Sequence, residues 1–298
     1  MGAIVKRAFA HRLHRAVIAA VAALMAGACD LRHAPVLDPK GPIALAERDL
    51  LFTAFALMLI VVIPVFIMTF LFAWRYRASN SAARYTPDWA YSTGIDVVIW
   101  VVPALIVGAL GVVLWGNTHK LDPYRAIDPA VAPLEVEAVA QDWKWLFIYP
   151  AQEIAAVNEL VFPSGRPVSL KLTSDTVMNS FYIPALAGQI YAMAGMQTRL
   201  QLLADAPGVF AGRNVQYSGA GFSDQHFKAT AASPPDFDAW VAKVKQSPQK
   251  LDAAAYRALV TPRRAHPVTY YSSVAPDLFD TIIAKYTHGA HAGHVVSR

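Results

Sequence analysis

Hydrophobic and polar residues divide the chain into stretches of very different pattern. Residues 50–74 and 97–118 contain no charged side chain, over 25 and 22 residues respectively. At 1.5 Å of rise per helical residue, both runs are longer than the hydrocarbon core of a bilayer, which is about 30 Å thick. Two uncharged runs of this length predict two transmembrane helices rather than the buried helices of a soluble core.

The hydrophobic period changes to two beyond the linker that follows residue 118. In the stretch "PLEVEAVA", at 133–140, Leu134 and Val136 share one face and Glu135 and Glu137 share the other. The stretches "PVSLKLTSD", "TRLQLLAD" and "NVQYSG" continue this pattern, with Gly, Pro and Asn between them. Short alternating strands separated by turn residues predict a β-sandwich or barrel over 130–230.

A third pattern, helical and rich in aromatic residues, begins at Ser233. Ser233 is suited to cap a helix that starts at Pro234. Further helices are predicted around 252–260 and 276–286, with a strand in "VTYYSS" between them. The segment 233–286 is therefore predicted to be a small α-rich extension, whose aromatic residues form core or subunit contacts rather than a ligand site.

The tail at 287–298 contains three histidines at a spacing of three, which are His288, His291 and His294. These side chains could bind a metal ion weakly, but the composition favours a disordered tail.

The first 28 residues have the features of a signal peptide that is followed by a lipidation site. They contain four basic residues and no acid, and their apolar run at 16–25 is too short to cross a bilayer. "AGAC" then ends at Cys29, the single cysteine, and resembles a bacterial lipoprotein cleavage box with Leu24 slightly displaced. An acyl anchor on Cys29 is predicted, with Asp30 favouring retention at the inner membrane; the alternative is an ordinary buried cysteine.

Charge changes this interpretation in two ways. Without the four leader bases, 22 basic residues face 21 acidic ones, so nothing suggests a nucleic-acid partner. Arg75, Arg77 and Arg84 lie between the two spans, and the positive-inside rule puts 75–96 in the cytoplasm. The segment 29–49 and the chain beyond 118, both termini included, are then predicted to lie in the periplasm.

Several stretches resemble subunit II of the haem-copper oxidases. "DWKWLFIYP" at 142–150, "TSDTVMNSFYIP" at 173–184 and "QIYAMAGMQTRLQL" at 189–202 resemble the outer domain of that subunit. "DPKGPIAL", "FAWRYRAS" and the aromatic-rich extension bring the resemblance closest to the quinol-oxidising cytochrome o branch. It covers nearly all of 29–286 and implies two transmembrane helices followed by a cupredoxin-like Greek-key β-sandwich and the α-rich extension.

The resemblance also provides a test for copper. Family members that oxidise cytochrome c bind a dinuclear copper centre through one His and a later Cys-x3-Cys-x3-His-x2-Met motif, because thiolate sulfur stabilises the mixed-valence pair. The only cysteine, Cys29, lies outside this domain, so a centre bridged by two cysteines cannot form. His226 is one residue out of register and is interpreted as a surface histidine. The five positions that match the copper ligands are Asn179, Tyr217, Gly221, Gln225 and Lys228.

The resemblance implies a subunit II without a redox centre, in a ubiquinol oxidase that reduces O2 to water and pumps protons. Haems and copper would lie in subunit I, the main partner, with subunits III and IV also present and no cytochrome c as donor. The complex would lie in a bacterial inner membrane. The alternatives are a subunit II of cytochrome c oxidase type with copper bound in another way, or a stand-alone membrane lipoprotein with an assembly role.

Asp96 is the candidate for a proton-uptake role, because family members have an acid, usually Glu, near the mouth of a proton channel of subunit I. It lies at the cytoplasmic start of the second span, in "TGIDVVIW". The alternative is an acid that interacts favourably with the helix dipole. Trp143, Trp145, Gln197 and Arg199 are predicted to belong to the core or to a subunit interface.

Overall fold

The computed structural model describes residues 34–84 and 86–291, without the side chains of 288–291. The predicted signal peptide at 1–28, the lipidation site Cys29 and the tail residue His294 lie outside the described residues.

Two long helices form the membrane part of the chain. Helix α1 spans Pro42–Arg75 and α2 spans Thr93–Lys120, and both are long and apolar enough to cross a bilayer. Helix α1 begins eight residues before the predicted span, because Pro42 suits the first helical position and the charged turn at 47–49 is also helical. The uncharged run therefore marks the part of the helix suited to the bilayer and not the helix ends.

Eleven strands in the described part of the chain build the outer domain. They are β1 Leu134–Gln141, β2 Lys144–Tyr149, β3 Ile154–Val157, β4 Glu159–Pro163, β5 Val168–Ser174, β6 Asn179–Ile183, β7 Ala187–Ala192, β8 Thr198–Leu202, β9 Gly208–Asn214, β10 His226–Ala232 and β11 Thr269–Tyr271.

These strands form two sheets packed face to face, so the predicted β-sandwich is confirmed. One sheet has the order β11-β3-β2-β1-β5-β8 and the other β4-β10-β9-β6-β7. The pairs β1–β5 and β4–β10 are parallel, and the other pairs are antiparallel. The prediction that "NVQYSG" is a strand is wrong. Strand β9 ends at Asn214, whose side-chain oxygen accepts the amide of Gln216 at 3.0 Å and turns the chain into a loop.

An aromatic cluster fills the space between the sheets. Trp145, Phe147, Phe181 and Phe227 are buried, and the rings of Phe181 and Phe227 stack with centroids 4.9 Å apart. Such ring pairs contribute about 1 kcal/mol beyond the apolar area that they bury. This core fixes the relative position of the strands whose ends carry the candidate site.

The C-terminal extension forms a second core on the outer face of the larger sheet. Its helices are α3 Pro234–Lys245, α4 Ala253–Val260 and α5 Leu278–His291. Leu259, Phe279 and Ile282 pack there against Val139 and Leu146 of the sheet. The face of β1 that carries Glu137, whose alternating pattern suggests exposure to solvent, is therefore largely covered by the extension. Glu137 on that face is partly buried, and burial raises its pKa to about 7.

The predicted cap at Ser233 is confirmed, a second cap at Asp252 was not predicted, and the last helix is longer than expected. The Ser233 hydroxyl accepts the amide of Asp236, and the Asp252 carboxylate accepts those of Ala254 and Ala255. Helix α5 continues to His291, beyond its predicted end at residue 286. The extension thus contains the three predicted helices, the last of them longer than expected.

Candidate functional site

Three loops meet at the end of the sandwich where β6 begins, and the turn at the other end of β6 contacts Lys40, just before α1. They are the β1–β2 turn at 141–144, the β5–β6 loop at 174–179 and the β9–β10 loop at 214–226. The last two loops contain all but one of the positions that match copper ligands.

Three buried amide side chains occupy the centre of this end of the domain. The Asn214 amide nitrogen lies 2.6 Å from Asn179 Oδ1 and 2.9 Å from Gln225 Oε1, and it also contacts Ser218 Oγ at 3.1 Å. Asn179 and Gln225 are both completely buried. We call Asn179, Asn214 and Gln225 the amide cluster; it joins two positions that match copper-binding imidazoles through a third residue.

The remaining hydrogen-bonding groups of the amide cluster pair with the backbone of the neighbouring strands and loops. Asn179 donates to the carbonyl of Val177 at 2.8 Å, and Gln225 donates to that of Gln141 at 3.3 Å. Asn214 Oδ1 accepts the backbone amide of Ser180 at 2.8 Å. Because buried amides are costly unless they are paired, this mutual pairing holds the ends of β1, β6 and β9 together.

The other three matching positions point away from the amide cluster or lack a side chain. Tyr217 is 72% exposed, with its ring tilted against that of Phe222, and Lys228 is exposed on β10. A Cβ at Gly221 would overlap the indole of Trp143. His226 is exposed on β10, opposite Arg213. The structure therefore brings together two of the five predicted positions and separates the others.

The donor groups at this site do not suit a dinuclear copper centre. Its inner positions are neutral amides whose oxygens and nitrogens already bind one another, whereas copper prefers thiolate, imidazole and thioether ligands. Among the side chains that the structure describes, at 34–84 and 86–287, no three His, Cys, Asp or Glu come together as a possible metal site. The site can fix the positions of three loops, but it offers no suitable ligand set for copper.

A second polar group lies directly beside the amide cluster and is charged. Asp175 is buried in the β5–β6 loop and accepts hydrogen bonds from three side chains of the extension. These are Tyr256 at 2.7 Å, Lys285 at 2.7 Å and Tyr286 at 2.9 Å. We call these four residues the carboxylate clamp. Burial, together with the bond to Asp175, raises the pKa of Tyr256, while the bond to Asp175 raises the pKa of Lys285.

The extension contacts the other two loops as well. Lys144 is completely buried, and its ammonium group donates to the carbonyls of Asp142 and Thr261 at 2.9 and 3.0 Å. Burial lowers the pKa of Lys144 to about 8. Arg264 pairs with Asp224 of the β9–β10 loop at 2.9 Å. Each of the three loops is thus connected to the extension by at least one polar contact.

The remaining predicted residues have separate positions. Trp145 lies in the core, and Trp143 donates from its indole nitrogen to the carbonyl of Ser218 at 2.9 Å. Gln197 is exposed just before β8, and Arg199 is exposed on β8. Asp96 lies in the first turn of α2, distant in sequence from the three loops. The side chains of His288 and His291 are outside the described part of the chain, as is His294.

Sequence reasoning missed two residues that organise this site. Asn214 was placed at the start of a predicted strand, whereas it is the last residue of β9 and begins a turn, for which Asn is a common signal. Asp175 lies within the recognised "TSDTVMNSFYIP" stretch, but its partners are 81 to 111 residues away. No local pattern indicates such a contact.

Comparison with protein families gives two matches. Residues 150–227 match the model of the cytochrome c oxidase subunit II periplasmic domain, and residues 245–290 match the COX aromatic rich motif. The first match covers much of the sandwich, and the second covers most of α4, β11 and α5.

Individual relatives give longer matches. The chain is 57% identical to cytochrome bo(3) ubiquinol oxidase subunit 2 of Pseudomonas putida over 251 residues, which cover 84% of this chain and 80% of the relative. It is 50% identical to ubiquinol oxidase subunit 2 of Acetobacter aceti over 269 residues, which cover 90% of this chain and 86% of the relative. The periplasmic domain of Bradyrhizobium japonicum cytochrome oxidase subunit II aligns at 21% identity and a TM-score of 0.37, covering 38% of this chain and 93% of that domain.

Proposed function

Because the chain belongs to the subunit II family of ubiquinol oxidases, we propose that it serves its haem-copper oxidase as a subunit without a redox centre of its own. It is an inner-membrane protein with a periplasmic domain, and subunit I is its partner. In this proposal, ubiquinol is oxidised in subunit I, whose haems and copper then reduce O2 to water with proton pumping.

The amide cluster is the observation that carries this proposal. At two positions where copper-bearing relatives have imidazoles, Asn179 and Gln225 are bound to Asn214. The two positions that match bridging cysteines are Tyr217 and Gly221, and neither can supply a thiolate. Electrons from a soluble donor such as cytochrome c would therefore find no copper acceptor in this domain, which favours a membrane quinol.

A metal count on the purified oxidase tests the proposal. We expect the copper content to match that of subunit I alone, and the near-infrared spectrum to lack the band of a mixed-valence copper pair. The same preparation must contain haem, because purification of this chain without a haem-bearing subunit would favour the lipoprotein alternative. A near-infrared copper band, or copper in excess of subunit I, would refute the proposal.

The finer membrane assignment is part of the same proposal. Three basic residues between the helices support a cytoplasmic position for the 75–96 loop, and hence periplasmic termini. Cys29 would then carry an acyl anchor on the periplasmic side, and subunits III and IV would complete the complex. Mass spectrometry of the N-terminal peptide tests the anchor directly.

Asp96 is proposed to assist proton uptake by subunit I. Its place in the first turn of α2, at the predicted cytoplasmic surface, supports this role, because an acid at the edge of a membrane span is a functional candidate. We expect Asp96→Ala to lower oxidase turnover by roughly tenfold or more, without loss of haem from the complex. Asp96→Glu should retain most of the activity, and unchanged turnover in Asp96→Ala would exclude the role.

A further inference from the structure

The chain just before α1 is joined to the outer domain through its backbone. The amide of Lys40 donates to the carbonyl of Ala185 at 2.7 Å, and the carbonyl of Lys40 accepts the amide of Asp205 at 3.0 Å. Gly41 is buried at the next position, where a Cβ atom would overlap the carbonyl oxygen of Leu203. Helix α1 therefore starts in direct contact with the turns that precede β7 and β9.

The first turns of α1 continue this contact with apolar side chains. Ala44 is buried, and Ile43 packs against the core of the sandwich. No residue of α2 is buried, although the linker at 121–133 connects α2 directly to β1. The outer domain therefore rests on α1 rather than on α2. We call the contact of residues 40–47 with the outer domain the joint.

A carboxyl group lies within the joint. Glu47 is partly buried, and a Cβ atom at Gly188 of β7 would come within 2.5 Å of Glu47 Oε1, so the carboxyl group lies directly against that strand. Tyr182 of β6 is the titratable group that faces it from the outer domain. On α1 itself, the neighbouring Arg48 and Asp49 pair with each other at 3.1 Å.

The surroundings of Glu47 favour its neutral form. The residue lies before the uncharged run at 50–74, outside the part of α1 suited to the bilayer. Burial raises the pKa of Glu47, and the backbone of Gly188 acts in the opposite direction with a smaller effect. Arg213 of β9 acts on Tyr182, whose pKa it lowers, and Glu47 has no ion pair with a base in the described part of the chain.

We propose that Glu47 is a proton-operated latch that holds the outer domain on α1. The neutral carboxylic acid fits the contact with Gly188, whereas the ionised carboxylate requires hydration and weakens the joint. The proposed function places this end of α1 in the periplasm, where protons pumped by the oxidase arrive. Acidification on that side then tightens the joint. This physiological role rests on the proposed function, but the latch itself does not.

Hydrogen exchange in the intact oxidase between pH 5 and 8 tests the latch. The amides of Lys40 and Asp205 report on the joint, and protection factors remove the intrinsic pH dependence of exchange. The closed joint raises the pKa of Glu47 above its ordinary value of about 4.3, so closure takes up a proton. Protection in the wild type should fall with rising pH by at most about tenfold per unit, and level off once the raised pKa is passed.

Two variants separate ionisation of Glu47 from other effects of pH. Glu47→Gln cannot ionise, so it should keep high protection at Lys40 and Asp205 at every pH. Asp238→Asn, at an exposed acid of α3, should keep the pH dependence of the wild type.

The contact between Glu47 and β7 is tested at Gly188. Gly188→Ala places a methyl group against Glu47 Oε1 and should lower the protection of the joint at every pH. Combining it with Glu47→Ala should restore protection, because the methyl group then has space. Gly116→Ala is the matched control, since a Cβ atom at this position of α2 meets no atom of the described chain within 4 Å.

Three outcomes would overturn the inference. An equal pH dependence in wild type and Glu47→Gln would assign the effect to another group. Low protection in Glu47→Gln at every pH would show that the ionised carboxylate holds the joint. Unchanged protection in Gly188→Ala would separate Glu47 from the joint. The haem and copper contents, which test the proposed function, should be the same in all variants, so a failure of the latch is distinguishable from a failure of that function.

Discussion

The amide cluster and the carboxylate clamp are neighbours, but they stabilise different parts of the molecule by different chemistry. The amide cluster is neutral and connects strand ends within the sandwich, between residues 11 and 35 positions apart. The carboxylate clamp is charged and connects the β5–β6 loop to an extension 81 to 111 residues later. The comparison indicates two independent tasks at this end of the domain, the connection of strand ends within the sandwich and the attachment of the extension.

The difference in chemistry follows from the surroundings of each group. Asn179 and Gln225 are completely buried, and their hydrogen-bond partners are all uncharged, so a neutral amide is far less costly there than an ion. Asp175 is equally buried, but it faces the half-exposed Lys285 and two tyrosine hydroxyls, so its carboxylate is fully paired. A charge is therefore present where the extension can supply partners for it, and an amide is present where it cannot.

Asp175→Ala should give the largest effect and should break only the clamp. It removes an ion pair and leaves the hydroxyls of Tyr256 and Tyr286 without their acceptor. Lost charged hydrogen bonds of this kind cost about 3 kcal/mol in total. Hydrogen exchange in α5 and in residues 173–178 of the intact oxidase should therefore become roughly a hundredfold faster. Asp238→Ala, at an exposed acid of α3, serves as the control.

The amide cluster and the carboxylate clamp are not independent if Asp175→Ala also exposes the amide cluster. Backbone amides of β6 and β9 should keep their protection in Asp175→Ala, because their bonds do not involve the extension. Equal acceleration in both regions would show that the clamp and the cluster open as one cooperative unit.

Asn214→Ala should have the converse effect, at a smaller magnitude. It leaves Asn179 Oδ1 and the backbone amide of Ser180 without their partner, while Gln225 Oε1 keeps only the hydroxyl of Ser218. Unsatisfied buried groups of this kind cost about 2 kcal/mol, which corresponds to roughly thirtyfold faster exchange. The acceleration should be confined to 179–183 and 214–226, while α4 and α5 keep their protection. Gln197→Ala, at an exposed amide, should change neither region.

The predictable part of this structure is the part encoded by local pattern. Uncharged runs predicted both membrane helices, and alternation in "PVSLKLTSD" predicted strand β5 because its residues alternate between core and outer face. Motif register singled out Asn179 and Gln225 through the family resemblance, and the structure joins these two side chains through Asn214. These signals require no knowledge of what lies across the fold.

The missed part depends on contacts between distant segments. Alternation in β1 predicted a solvent face for Glu137, which is partly covered by an extension more than a hundred residues later. Asp175 has the appearance of an ordinary loop acid until Lys285 and Tyr286 are placed beside it. Sequence pattern reports the local environment, whereas the second core and the clamp are created by tertiary contacts.

Lys144 allows the smallest and most specific test, through pH. Burial lowers its pKa to about 8, so between about pH 8 and 10 the unfolded chain binds more protons than the folded chain. Stability should then rise with pH, by at most about 1.4 kcal/mol per unit. The thermal midpoint of this subunit in the oxidase should rise over this range in the wild type, and Lys144→Met should remove that rise. Asp175→Asn should retain the rise, because Lys144 contacts Asp142 and Thr261 rather than the clamp. An equal rise of the thermal midpoint with pH in wild type and Lys144→Met would show that other groups titrate.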